Sequence, residues 1–124
     1  MTEDLPEWET LVALLRAPRT DVRATVHAMG KEPARVDLRD EDPGPAWAVG
    51  WVDPVRLAVL GGATGRAVGR DREAGRDRWI AEVAGLKGRS PVRVWIDAAT
   101  GSIVRLERLD DPAPLVVVEG LETG

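Results

Sequence analysis

Beyond residue 63 the chain carries no helical stripe; apolar residues recur at every second position, interrupted by glycines and charged pairs. Alternation of this kind marks half-buried strands, because successive side chains in extended backbone point to opposite faces. With hairpin-length connections between the segments, the pattern predicts an antiparallel meander and not a parallel sheet with crossover helices. Strands are expected over Thr64–Arg70, Arg78–Gly85, Val92–Asp97, Ser102–Leu109 and Leu115–Glu119, joined by EAG, LKGRSP, AATG and DDPAP.

The stretch VRVWIDAATGSIVRLERLD (92–110) has the clearest local chemistry. Val92, Val94 and Ile96 fall on one face, with Arg93, Trp95 and Asp97 on the other. After the turn, Val104 and Leu106 share one face, and Ile103, Arg105 and Glu107 the other. Asp97 can accept hydrogen bonds from turn amides, and Gly101 supplies the positive φ that closes a type I turn followed by a bulge.

Upstream, Trp8, Leu11, Val12 and Leu15 recur at helical spacing behind Asp4, Pro6 and Glu7, which predicts a helix over about 5–17, stopped by Pro18. Val22, Ala24, Val26 and Ala28 alternate with Arg23, Thr25 and His27, so a strand is expected at 21–29 and a second at 34–39 after the turn at Met29–Glu32. The loop DEDPGP leads to AWAVGWV, short and apolar enough for a strand at 46–52 or an aromatic lid. Asp53–Pro54 then opens a short helix at 54–60, with Gly61–Gly62 as its stop. A length of 124 residues fits one domain, 1–124.

Composition removes several function classes. With no cysteine there is neither a disulfide framework nor a thiolate metal site. The N-terminal segment lacks the basic start and apolar run of a secretion signal, so a cytoplasmic location is expected. No apolar stretch reaches the roughly 20 residues of a membrane span. A net charge of -4 gives no general attraction to nucleic acid. The basic residues are almost all Arg, which with abundant Ala, Gly and Val reads as GC-rich coding. The run Arg66, Arg70, Arg72, Arg76, Arg78 interleaves with Asp71, Glu73 and Asp77 and predicts a salt-bridged hairpin.

RLAVLGGATGRAVGR (56–70) imitates the glycine loop of a dinucleotide-binding domain, with Gly61, Gly62, Gly65 and Gly69 in place of the fingerprint. That site needs a helix directly after the glycines to hold the phosphates, and GRDREAGRDRW has no apolar stripe. NAD(P) binding is therefore the weakest alternative. His27 is the sole histidine, on the polar side of its strand, and Ser90 and Ser102 are the sole serines. No catalytic triad, cofactor or metal site is expected from them.

Phe and Tyr are absent, so Trp8, Trp47, Trp51, Trp79 and Trp95 carry all aromatic burial. These five are the candidate ligand-binding residues, because apolar pockets are lined by aromatic side chains with few polar groups.

The order from Asp53 to Glu119, with DPVRL, GRAVGRDREAGRDRWIAEVAG, VRVWIDAATGSIVRLERLD and LVVVEG, resembles the C-terminal half of LolA-like proteins, the lipoprotein-carrier and lipoprotein-sorting group, in a short actinobacterial-type form. The strand, Asp-x-x-Thr-Gly, strand unit is the most specific part, and TDVRATV after the first helix fits the family's beginning. The resemblance implies an α+β fold: a curved antiparallel half-barrel sheet with an N-terminal helix and one short internal helix against its concave side. It also implies a non-catalytic domain whose cavity holds a hydrophobic small molecule or lipid acyl group; the family defines no ligand residue by a motif found here, and it is the tryptophan argument alone that sets Trp79 and Trp95 as walls and Trp8 as plug. The alternative is a protein-interaction or regulatory module in which a sheet edge at Leu115–Val118 pairs with a partner strand.

Overall fold

The period-two segments form seven antiparallel strands in the computed structural model, which describes residues 5–16, 21–53, 64–84 and 91–123. They are β1 (Val22–Ala28), β2 (Ala34–Asp37), β3 (Gly65–Glu73), β4 (Arg76–Val83), β5 (Val92–Asp97), β6 (Ile103–Arg108) and β7 (Asp111–Thr123). Across one curved, unclosed sheet the order is β2-β1-β7-β6-β5-β4-β3. Helices α1 (Trp8–Arg16) and α2 (Ala46–Val52) complete an α+β architecture. Among the described residues no helix is long and apolar enough to cross a membrane. The short helix expected at 54–60 lies outside the described residues.

Residues directly opposite in an antiparallel ladder share a face, so the register sorts the side chains. One face collects Val26 with Val118, Ala28 with Val116, Leu106 with Val116 and Val94, and Ala81 with Val94. Both helices pack there. Ala48, Val49 and Val52 of α2 join Val22, Val26, Val36, Val104 and Val118, while Leu11 and Leu15 of α1 join Ala81, Val83, Val94, Ile96 and Ile103. Burying each Val, Leu or Ile contributes about 1.5–3 kcal/mol. The opposite face, left open by the helices, carries Arg66, Glu82, Arg93 and Glu107 in one continuous cross-strand row.

Four local expectations are corrected. AWAVGWV is helical, not a strand: the Ala48 and Val49 amides both donate to the Pro45 carbonyl at 3.0 Å, and Asp53 N–H donates to Val49 at 2.8 Å. A short apolar run has no period that separates helix from strand, and here the space beneath β1, β2 and β6 accepts a helix buried at Ala48, Val49, Gly50 and Val52. Ile103 faces the core, because a register shift after Trp95 sets it opposite Ile96 and buries both Ile103 and Val104. Strand β7 begins at Asp111 instead of Leu115. It accommodates Pro114 because β1 ends opposite Val116 and leaves that position paired on one side only, to β6 across two register shifts. Leu115–Val118 is therefore not an edge but the centre of the sheet, hydrogen-bonded to β1 and β6.

Helix α1 is fixed by two close approaches to glycine. The Trp8 ring lies where a Cβ on Gly65 would stand 2.8 Å from it. The Leu14 carbonyl presses on Gly101, whose φ is +74°. Gly101→Ala combines a left-handed φ with a backbone clash, and is expected to destabilise the fold by about 2 kcal/mol or more, read as a lower urea midpoint with unchanged slope.

Candidate functional site

The β5–β6 turn is built around one carboxylate. Asp97 Oδ2 accepts from the Thr100 amide at 2.8 Å, the Thr100 hydroxyl at 2.9 Å and the Ala99 amide at 3.2 Å. Gly101 N–H donates to the Asp97 carbonyl at 2.8 Å, as the turn chemistry predicts. Two further contacts lie beyond sequence reach. Arg76 of β4 grips Asp97 through Nε at 2.8 Å and Nη2 at 3.0 Å. The Ser102 hydroxyl donates to the Val52 carbonyl at 2.7 Å and satisfies the C-terminal end of α2. Asp97, Thr100 and Ser102 are buried. Desolvation alone would raise the Asp97 pKa, but the Arg76 guanidinium and the Thr100 amide and hydroxyl outweigh it and hold the carboxyl below its ordinary value.

The tryptophans divide between the two faces. Trp79 pairs with Ile96 and Arg70, which puts it on the helix-covered face, in the cluster of Leu11 and Val94. Trp8 reaches the same cluster from α1, and Trp51 of α2 touches both apolar clusters. Trp47 packs on the α2 side, with the Lys31 ammonium 5.2 Å from its ring centroid. All four indoles are partly exposed, as are Leu14, Ala67, Val92 and Leu106 beside them, whereas the aliphatic centres of the two clusters are buried.

Trp95 stands apart. Its partners are Ile80 and Arg105, so it lies on the open face and cannot wall one cavity together with Trp79. The Arg105 guanidinium covers its ring at 5.5 Å, its indole lies toward Asp71 and helps to lower that carboxyl's pKa, and it reaches the margin of the α2-side cluster. Asp71 in turn binds Arg78 through two bonds of 2.7 Å, and this pairing holds its pKa below the ordinary range. The alternation within VRVWID already placed Trp95 beside Arg93 and Asp97; the idea of paired walls disregarded that parity.

The remaining candidates are quickly located. His27 Nε2 lies 3.2 Å from Glu119 in an exposed pair on the open face. Gly65 and Gly69 belong to β3, which pairs antiparallel with β4, so no helix follows them to receive a pyrophosphate; Gly61 and Gly62 lie outside the described residues. The charged β3–β4 hairpin is salt-bridged as its sequence implies, through Arg78 to Asp71 and Glu73, Arg72 to Asp77 and Arg66 to Glu82.

Because the folded-state pKa of Asp97 is depressed, the unfolded chain takes up a proton first on acidification. Stability from this group is complete above the ordinary carboxylate value of about 3.9 and declines as pH falls through the lower folded value. Asp97→Asn is expected to cost about 3 kcal/mol at pH 7, since Arg76 loses its counter-charge, and to flatten the loss of stability below about pH 4 in urea titrations. A variant with the wild-type acid slope would separate Asp97 from that loss. Compared with known proteins, no family model matches the chain and no curated protein is similar to it.

Proposed function

We propose that this is a non-catalytic binding domain of LolA-like type, which holds a hydrophobic or acyl ligand between the helices and the helix-covered face of the curved sheet. One observation carries the reading: Trp8, Trp51 and Trp79 gather around a single aliphatic cluster beneath α1, and each keeps part of its indole accessible. Trp8, Trp51 and Trp79 keep some indole surface accessible at the margin of this cluster, while Ala81, Val83 and Val94 beneath them are buried. Partly covered aromatic surface among aliphatic side chains is the usual lining of an apolar ligand site.

A sheet-edge interaction module is the rival reading, and its edge has to be β2 or β3. Strand β3 carries Arg66, Arg70 and Arg72 and a register shift at Val68, features that oppose addition of a further strand. The acyl reading is preferred on that ground.

Titration with fatty acids of graded length is expected to quench or shift the tryptophan emission with saturation. Trp79→Ala should weaken binding at least tenfold, whereas Trp95→Phe, on the other face, should leave the affinity unchanged. No response at any chain length, or a response lost with Trp95 and kept without Trp79, would overturn the proposal.

A further inference from the structure

At the β2 end of the open face lies a groove of about 270 Å³, lined by Arg23, Ala24, Thr25, Arg35, Gly120 and Glu122. Its floor is a break in the β1–β7 ladder. Pairing passes from Arg23 with Glu122 to Thr25 with Glu119, so Ala24 faces two residues of β7, and Gly120 takes a φ of +63° to allow it. Arg23, Thr25 and Arg35 stand on one face, because Thr25 and Arg35 are direct cross-strand partners and Arg23 is two residues from Thr25 on its strand.

The carboxylates around this groove are already engaged. Arg23 binds Glu122 at 2.7 Å, Arg39 binds Asp37 at 3.3 Å and His27 faces Glu119 at 3.2 Å. Arg35 is exposed and has neither an ion pair nor a hydrogen bond among the described residues, and the same holds for the Thr25 hydroxyl beside it. A planar guanidinium presents parallel N–H groups that match two oxygens of one anion, and a neighbouring hydroxyl can donate to the same group.

We infer that this groove binds a small oxyanion, a phosphate monoester or a short carboxylate, gripped by Arg35 and Thr25. The volume sits just below the range of roughly 300–1,000 Å³ typical of small-molecule sites, so the ligand is compact. The site lies on the face opposite the tryptophans Trp8, Trp51 and Trp79 and stands independently of the acyl reading.

The test is a titration of the isotope-labelled chain, followed through its amide resonances, with inorganic phosphate and with acetate at constant ionic strength maintained by sodium chloride. Saturable shifts centred on Thr25, Arg35 and Gly120 are expected with at least one of the two anions. Saturation by phosphate alone assigns a phosphate monoester, and saturation by acetate assigns a carboxylate. Arg35→Gln should weaken binding at least tenfold, whereas Arg108→Gln, an equal loss of charge outside the groove, should leave it unchanged. Arg35 is an exposed residue of an edge strand, and resonances away from the groove report directly whether its variant keeps the fold. Shifts that stay linear with concentration, that chloride reproduces, or that persist in Arg35→Gln would overturn the inference.

Discussion

The antiparallel pairing of β1 with β7 is the constraint on which the rest depends. Val22 meets Thr123 and Ala28 meets Val116, so segments from opposite ends of the chain form adjacent strands. Without this ladder there would be a five-stranded meander and a separate two-stranded hairpin, and a lone hairpin is marginal in water. With it, the β1–β2 hairpin extends the meander, and Val26 and Val118 become one buried patch on which α2 can rest. The entropic cost of closing so long a loop grows only with the logarithm of its length, while the aliphatic surface covered grows with every paired residue. The same ladder makes β2 and β3 the two edges and leaves the break at Ala24 and Gly120 that opens the groove.

The two faces of the sheet are held by different physics. On the helix-covered side, small aliphatic residues interlock with α1 and α2, and glycines at 65 and 101 let a ring and a backbone carbonyl approach where no side chain could fit. On the open side, charges alternate across the strands, so that Glu82 sits between Arg66 and Arg93, and Arg78 between Asp71 and Glu73. The pairs open to solvent, such as Arg72 with Asp77, contribute little singly, but opposite charges on adjacent strands favour one register over its neighbours. The exception is Asp97, whose buried carboxylate ties together the β5–β6 turn and β4. Through Ser102, the same turn reaches the end of α2.

Strand periodicity and turn chemistry are local, and they were readable from the residues: α1, the meander from β3 to β7, the Asp97–Gly101 turn and the charged β3–β4 hairpin all follow from spacing. The candidate site was legible only in part. Which residues are tryptophan is plain from the chain, and the alternation of VRVWID placed Trp95 away from Val94. Trp51 joins the two apolar clusters, however, only because its segment is a helix, and seven apolar residues without a period do not declare that.

What the chain determined by itself is therefore whatever depends on neighbours a few positions apart: the period of each strand, the face of each side chain within it, and the glycine that a turn demands. What tertiary structure decided depends on partners distant in sequence. It made AWAVGWV a helix because the space under β1, β2 and β6 accepts one. It turned Ile103 inward through a register shift, placed Leu115–Val118 at the centre of the sheet and left Arg35 facing a groove. Those outcomes are set by which surfaces remain to be covered once the two ends of the chain have met, and that competition for burial is not written in any short stretch of residues.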